Sequence, residues 1–224
     1  MRDPGFVDVF NREADVYDER HGATCGVAHN LAIEAVIARS KKARSEEDRG
    51  KEARSEEEEP RHIVDIGCGT GALLEAAHRH WPHARLSGVD PADRMIGVAR
   101  SRLPGADLHV GTAERLPFPD RSADLVLSTT AFNHWSDQRA GLAEAARVVT
   151  PTGLVVVVEH APPDPATAVL LTLAGRMVRH HSEHDITEAA WDAGLAPLSV
   201  TTEAGGFLRL IAQPAATALW KEPS

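Results

Sequence analysis

The segment from Ile63 to Leu74 constrains the fold of this chain more than any other stretch. It has a short apolar run that contains Asp65, then glycines at alternate positions, and then a helix-like apolar pattern. Glycine accepts positive backbone φ and lets a ligand approach the peptide plane without a Cβ in the way. A helix that begins behind such a loop offers free N–H groups and a partial positive charge. The segment therefore predicts a strand, a tight turn and a helix start that hold a nucleoside-bearing small molecule.

Length and composition predict one globular domain over residues 1–224, since 42% of the residues are hydrophobic and 25% are charged. The net charge of −9 argues against a nucleic-acid partner. No apolar run approaches the roughly 20 residues of a membrane span, and the N-terminus lacks a signal-peptide core. The two cysteines, Cys25 and Cys68, offer neither a disulfide framework nor a zinc pair. We expect a cytoplasmic protein without a metal site.

After Pro60 the chain alternates between strand-like and helix-like segments. The predicted strands are 62–66, 85–89, 107–110, 123–128, 154–160, 197–203 and 207–212, and the predicted helices are 71–80, 92–102, 137–148, 165–179 and 186–193. Such alternation with apolar, β-branched strands predicts an α/β fold with a mostly parallel, doubly wound sheet. The short Gly205-Gly206 connection predicts that the last strand is antiparallel.

Two N-terminal segments precede this core of residues 60–224. Residues 6–39 have helical apolar spacing, and Gly22 and Gly26 are expected to divide them into two helices. Residues 40–59 contain Ala-Arg-Ser-Glu-Glu twice and no apolar residue larger than alanine. Because such a segment buries too little surface to offset its ordering entropy, we interpret it as a charged, disordered insertion. An exposed helix held by i,i+4 ion pairs is the alternative.

A second acidic residue, Asp90, ends the next predicted strand. In doubly wound sheets an acid at this place accepts hydrogen bonds from ribose hydroxyls, and the two oxygens of one carboxylate match a vicinal diol. Because Pro91 follows, Asp90 is also a candidate helix N-cap, and the two roles are compatible.

The glycine loop alone does not identify its ligand. Gly67, Gly69 and Ala72 also satisfy the dinucleotide pattern G-x-G-x-x-A, which leaves a nicotinamide-dependent oxidoreductase as an alternative. Asp65 separates the two hypotheses, because a carboxylate beside the loop repels a pyrophosphate and attracts an ammonium or sulfonium cation. The sequence thus favours a cationic ligand.

Residues 61–160 as a whole resemble a class I S-adenosylmethionine-dependent methyltransferase of the small-molecule type. The matching segments, in order, are Asp65–Gly71, Gly88–Asp90 with Met95, Gly111–Phe118 and Arg147–Gly153. The resemblance implies a Rossmann-like seven-stranded sheet in the order 3-2-1-4-5-7-6 with strand 7 antiparallel, and it makes residues 1–39 a helical lid. The implied cofactor is S-adenosyl-L-methionine, with S-adenosyl-L-homocysteine as product.

The resemblance also implies a set of cofactor-binding residues. They are Tyr17, Asp65, Gly67, Cys68, Gly69, Gly71, Asp90, Pro91, Met95, Thr112, Ala113, Glu114, Ser128 and Thr129. In this set Asp90 holds the ribose, Met95 packs on adenine, and the backbone N–H of Ala113 contacts the adenine ring. The chain departs from the family at Thr112, where many members have an aspartate, and at Thr152, where glycine is usual.

Transfer of a methyl group from a sulfonium is a direct displacement, and a base is needed only when the acceptor must lose a proton. His134 follows the fourth predicted strand and is the candidate base; a pocket wall is the alternative role. Glu159 and His160 end the fifth predicted strand, where they either touch substrate or have surface or capping roles. The acceptor is a small molecule that the sequence does not specify, and a non-catalytic binding module of the same fold is the alternative function. The chain is expected to be a monomer or a homodimer.

Three histidines, His180, His181 and His184, lie close together among acidic residues. Their spacing matches no standard zinc signature, so we interpret them as part of a polar loop. The preceding predicted helix, 165–179, either covers the substrate or packs on the sheet.

Overall fold

Seven strands form a single sheet in this computed structural model, which describes residues 4–47, 59–164, 167 and 180–215. The strands are β1 (His62–Ile66), β2 (Arg85–Asp90), β3 (Asp107–Val110), β4 (Ala123–Thr129), β5 (Val149–His160), β6 (Leu195–Glu203) and β7 (Phe207–Pro214). Their order is β3-β2-β1-β4-β5-β7-β6. Strand β7 is antiparallel to both of its neighbours, and the other pairs are parallel. The predicted α/β fold and strand order are therefore confirmed.

Helices cover both faces of this sheet. They are α1 (Pro4–Glu13), α2 (Tyr17–Glu47), α3 (Ala72–His80), α4 (Asp93–Arg102), α5 (Gln138–Val148) and α6 (Glu183–Asp192). One apolar cluster joins α2, α3 and α4 to the sheet, and a second joins α5 and α6 to the opposite face. In β1, Ile63 belongs to the first cluster and Val64 to the second, as the alternation of side chains along a strand requires. Both strand faces are buried, which explains the continuous apolar runs.

The N-terminal helices divide at a different place from the one predicted. Helix α2 runs without interruption through Gly22 and Gly26, and the break is a short 3₁₀ turn at Ala14–Val16. The expected division at the two glycines is therefore wrong. Each helical glycine costs only about 1 kcal/mol relative to alanine. The buried face of α2 offsets that cost, because it packs on the sheet through Ala28, Ala32, Ile33, Ala35 and Val36.

The charged segment is partly helical. Helix α2 continues to Glu47, so residues 40–47 do not form the disordered start that the composition predicted. Residues 48–58 lie outside the described part of the chain, as does nearly all of the predicted helix 165–179. Within the described residues, no helix has both the length and the apolar character that crossing a bilayer requires.

Candidate functional site

A cavity of about 570 Å³ opens at the carboxyl ends of β1, β2 and β4. The glycine loop forms its floor, and α1 and the first half of α2 cover it. Of the predicted cofactor-binding residues, the following line this cavity: Tyr17, Asp65, Gly67, Cys68, Gly69, Asp90, Pro91, Met95, Thr112, Ala113, Glu114 and Thr129. The predicted catalytic residue His134 lines it as well.

The glycine loop is held against the end of β2. Gly67 and Cys68 donate their backbone N–H groups to the carbonyl of Val89, at 2.8 and 3.0 Å. Gly67 and Gly69 have φ of 79° and 51°, in the left-handed region that L-residues with side chains rarely adopt. A Cβ on Gly67 would stand 2.3 Å from the Cβ of Ala131, so the loop and the turn after β4 approach as closely as their backbones allow.

Asp65 has a buried polar atom at the cavity without a hydrogen-bond partner in the described part of the chain. Its side chain is 2% exposed, and its Oδ1 has no hydrogen-bond partner among the described residues. Burial, and then the nearby Asp90 carboxylate, raise the pKa of Asp65 well above its usual range. A carboxyl group left in this state is stabilised by a cation or a donor that enters the cavity.

Asp90 ties the loop to the segment that follows β2. Its Oδ2 accepts a hydrogen bond from the Gly69 N–H at 2.9 Å, and its Oδ1 accepts one from the Ala92 N–H at 2.8 Å. Burial raises its pKa to about 6, although both hydrogen bonds oppose that shift. The N-cap of α4 is Ala92, so the N-cap role considered for Asp90 is wrong. Each carboxylate oxygen keeps a second lone pair, which a diol can use.

The loop after β3 is fastened to the start of α5 by Glu114. Its Oε1 accepts hydrogen bonds from the N–H groups of Ser136 (2.7 Å) and Asp137 (3.1 Å). Burial opposes ionisation of Glu114, but its backbone hydrogen bonds and a hydrogen bond with Thr112 lower its pKa. Met95 is 1% exposed and packs with α1 beside this loop. Thr112, which stands where many family members have an aspartate, therefore has the carboxylate of Glu114 as a neighbour.

Aromatic side chains from α1 close one side of the cavity over His134. The ring centroid of Phe6 lies 4.1 Å from that of the imidazole, and the centroid of Phe10 lies 5.9 Å away. His134 as a whole residue is nevertheless exposed. The packing around the ring, and then His160 and His180, lower the pKa of His134 to about 4. The imidazole is therefore neutral at pH 7.

Tyr17 lies at the start of α2 among sulfur and hydroxyl groups. Its hydroxyl is 3.9 Å from the Sγ of Cys25, which in turn is 3.7 Å from the Oγ1 of Thr130. Burial, followed by interactions with Cys25, raises the pKa of Tyr17 above its usual value. The phenol is therefore neutral at pH 7 and can donate a hydrogen bond into the cavity.

Two predicted binding residues do not line the cavity. Gly71 precedes α3, and a Cβ there would meet Ala99 and Leu103 at 3.2 and 3.3 Å, so this glycine serves the packing of α3 on α4. Ser128 is buried and donates its hydroxyl to the Ile66 carbonyl at 2.8 Å. The side chain of Cys68, although it lines the cavity, also packs where a Cβ on Gly88 would stand. Gly71, Ser128 and Cys68 thus contact the elements that support the glycine loop.

Glu159 anchors the turn after β4. Its carboxylate accepts hydrogen bonds from the N–H groups of Asn133 (3.0 Å) and His160 (2.7 Å), and burial raises its pKa to about 7. His160 stacks on Phe207 with ring centroids 4.8 Å apart. Neither residue lines the cavity, so the capping alternative fits both.

The three C-terminal histidines divide between a loop and a helix. His180 and His181 lie in the loop, where His181 is 3.1 Å from Asn133 Oδ1. His184 lies on α6, whose N-terminus has a capping box between Ser182 and Asp185 that the sequence analysis missed. Among the described residues no group of three His, Cys, Asp or Glu side chains could hold a metal ion.

An ion pair that the sequence patterns did not predict lies above the glycine loop. Asp18 of α2 accepts a hydrogen bond from the Thr70 hydroxyl at 2.7 Å and pairs with Arg102 at the end of α4. All three residues line the cavity. No local sequence pattern pairs Asp18 with an arginine 84 residues away.

The polar groups that line the cavity fit the cofactor that the resemblance implies. A buried carboxyl oxygen without a partner suits a sulfonium or ammonium cation, and the adjacent Asp90 suits a ribose diol. Glycines without Cβ atoms leave room for the ligand between the two acids.

Comparison with known proteins gives the same family. A methyltransferase domain family matches residues 64–157. The chain is 35% identical over 105 residues to a demethylmenaquinone methyltransferase of Thermotoga maritima, which covers 47% of this chain and 46% of that protein. The matched region thus spans about half the length of this relative.

Solved structures show the same fold at low identity. A chain of the complex between the Haloferax volcanii Trm112 methyltransferase activator and a methyltransferase has a TM-score of 0.71 at 21% identity, covering 96% of this chain and all of that one. Geranyl diphosphate C-methyltransferase of Streptomyces coelicolor, solved with S-adenosyl-L-homocysteine, has a TM-score of 0.59 at 16% identity and covers 69% of this chain and 71% of that one. Residues 64–157 thus match a methyltransferase domain family, and the sheet order and the matched motifs agree with the class I S-adenosylmethionine-dependent methyltransferases that the sequence resembles.

Proposed function

We propose that this protein transfers a methyl group from S-adenosyl-L-methionine to a small-molecule acceptor by direct displacement. The observation on which the proposal chiefly rests is Asp65, a buried carboxyl group with an unpartnered oxygen at the end of the central strand. Asp90 lies beside it and carries the diol-binding chemistry. A cation on a ribose-bearing ligand satisfies both acids at once.

The chain's own contribution is binding and alignment. S-adenosyl-L-methionine, when bound, supplies a methyl group that its sulfonium already activates. Asp65 and Asp90 fix the ligand against the glycine loop, and α1 and α2 exclude water from above. Alignment of this kind supplies up to about 7–11 kcal/mol in the best intramolecular reactions. No step requires a metal ligand or a covalent intermediate on the protein.

We infer that the acceptor is a small, neutral molecule with an apolar ring. The rings of Phe6, Phe10 and His134 form the cavity wall on the α1 side, and His134 is neutral at pH 7. Such a wall attracts ring systems through stacking and edge contacts. The Thermotoga maritima relative is named for a substrate of this class, a demethylmenaquinone.

His134 serves this acceptor chiefly as a wall. Its neutral imidazole can accept a proton from a hydroxyl group, as the candidate base must. With a pKa of about 4, however, it is a weak base at neutral pH. His134→Phe keeps the ring and removes the base, so it separates the two roles.

The test measures transfer of isotopic label from methyl-labelled cofactor to a panel of reduced quinones, phenols and amines. We expect a labelled ring-bearing product from the wild type, loss of product with Asp65→Asn, and retained product with His134→Phe. Cofactor binding without any transfer across the panel would instead indicate a non-catalytic binding module. Absence of binding at millimolar cofactor would refute the proposal.

A further inference from the structure

Arg102 joins three separate parts of the site. Its guanidinium donates to the carbonyl oxygen of Thr70 at 2.9 Å, to the hydroxyl of Thr70 at 3.0 Å, and to the carboxylate of Asp18. Thr70 belongs to the glycine loop, Asp18 to α2, and Arg102 is the last residue of α4. The same Asp18 carboxylate accepts the Thr70 hydroxyl at 2.7 Å. The three residues therefore form a closed set of hydrogen bonds, which we call the clasp.

The charges of the clasp are fixed at neutral pH. Burial opposes ionisation of Asp18, but its hydrogen bonds to Arg102 and Thr70 lower its pKa below the usual value. The nearby His29 is largely buried, and burial lowers its pKa to about 4, so it adds no charge. The Oε2 of Glu75, another residue that lines the cavity, lies 3.8 Å from the Arg102 Nε. The side chain of Arg102 is 24% exposed, which leaves its hydrogen bonds partly shielded from water.

We propose that Arg102 is a positioning residue that couples closure of α2 over the cavity to the conformation of the glycine loop. Tyr17, Cys25 and His29 of α2 line the cavity, so a displacement of this part of α2 removes contacts from a bound ligand. Release of α2 must break the Asp18 contacts, and the same guanidinium holds the Thr70 peptide. The affinity for ligand then depends on the fraction of molecules in which the clasp is closed. This inference rests on cofactor binding and is independent of the proposed acceptor.

The geometry requires arginine. The planar guanidinium of Arg102 donates to three acceptors, which are the carbonyl oxygen and the hydroxyl of Thr70 and the carboxylate of Asp18. A lysine ammonium is instead a point charge on a flexible stem. Replacement of Arg102 removes the hydrogen bond that its Nη1 donates to the carbonyl oxygen of Thr70.

The chain offers a matched control on the same helix. Arg94, near the start of α4, pairs with Asp15 in the turn between α1 and α2. Both side chains of this pair are more than half exposed, and neither lines the cavity. Arg94 thus links α4 to the turn that precedes α2, without a contact to the glycine loop.

The test uses the full chain and S-adenosyl-L-homocysteine as the probe. We measure its dissociation constant by calorimetry and its dissociation rate by competition for wild type, Arg102→Gln, Arg102→Lys and Arg94→Gln. We expect Arg102→Gln to raise the dissociation constant at least about tenfold, mainly through faster dissociation, since hydrogen bonds to charged groups are involved. Arg102→Lys should fall between it and wild type, and Arg94→Gln should stay within about twofold.

Hydrogen exchange provides a readout that does not depend on ligand or turnover. In the protein without added ligand, Arg102→Gln should speed exchange of the amides in the first three turns of α2 and leave those of β1 unchanged. Equal weakening by Arg94→Gln, or wild-type binding and wild-type α2 exchange in Arg102→Gln, would overturn the proposal. If Arg102→Gln fails to fold, the Arg102→Lys result decides in the same way. If the wild-type protein binds the probe but transfers no methyl group, that result counts against the proposed function and leaves the inference about Arg102 unaffected.

Discussion

Substitution of Gly67 by alanine tests the close approach on which the loop geometry depends. Alanine at φ of 79° adopts the left-handed region, which costs about 1–2 kcal/mol. Its Cβ would also stand 2.3 Å from the Cβ of Ala131, and overpacking of a core typically costs about 1–3 kcal/mol. We therefore expect Gly67→Ala to lower the free energy of unfolding by about 2–5 kcal/mol.

Gly69 is the matched control, because its φ is also positive, at 51°, but a Cβ there meets no atom within 4 Å. Gly69→Ala should therefore cost only the backbone part, about 1–2 kcal/mol. Adding Ala131→Gly to Gly67→Ala removes the atom that is struck, so the double variant should recover the overpacking part. Urea unfolding followed by tryptophan fluorescence measures all four proteins. Equal losses for Gly67→Ala and Gly69→Ala, or no recovery in the double variant, would refute the reasoning.

Three further predictions concern charge and helix propensity. Asp65→Asn removes a buried, unpartnered carboxyl group, so calorimetry should show at least about tenfold weaker cofactor binding, while urea unfolding at pH 8 shows no loss of stability; the reverse pattern would contradict the role given to Asp65. The pKa values of Asp90 and Glu159 are raised to about 6 and about 7 in the fold, above the usual 3.8 and 4.5, so the stability that their protonation gives at low pH is lost as pH rises through those values. The stability of wild type relative to Glu159→Gln, measured by urea unfolding at a series of pH values, should therefore fall as pH rises through about 7, since the lowered pKa values of His29 and His134 act on both proteins alike; a difference that does not change with pH would contradict the assignment. Gly97→Ala on α4, where a Cβ meets nothing within 4 Å, should raise the free energy of unfolding by about 0.5–1 kcal/mol in the same assay, and a loss of stability would show a contact that the structure lacks.

In the N-terminal segment, the sequence pattern predicted the position of the helix break incorrectly. Gly22 and Gly26 predicted a helix break, yet α2 is continuous there and the chain bends at Ala14–Val16 instead. Helix propensity is worth about 1 kcal/mol per glycine. Burial of the α2 face on the sheet outweighs it, and that burial is a property of the assembled fold.

The glycine loop shows the opposite case. The spacing of Asp65, the loop glycines and Asp90 predicted a strand, a turn and two acids on one edge of the sheet, and each of the two acids lines the cavity. These features depend on contacts between residues close in the chain and on the parallel order of neighbouring strands. Local geometry therefore suffices to predict them.

The doubly wound sheet, the antiparallel last strand and the two acidic residues at the ligand-binding edge could be predicted from the sequence, because apolar periodicity and glycine placement act over a few residues. The packed fold was needed to show that Ser128 and Gly71 lie behind the cavity, that Phe6 packs on His134, and that Arg102 reaches Asp18 across 84 positions of the chain. These contacts join residues from distant elements. Their geometry follows from how α1, α2 and α4 pack on the sheet, which no local pattern encodes.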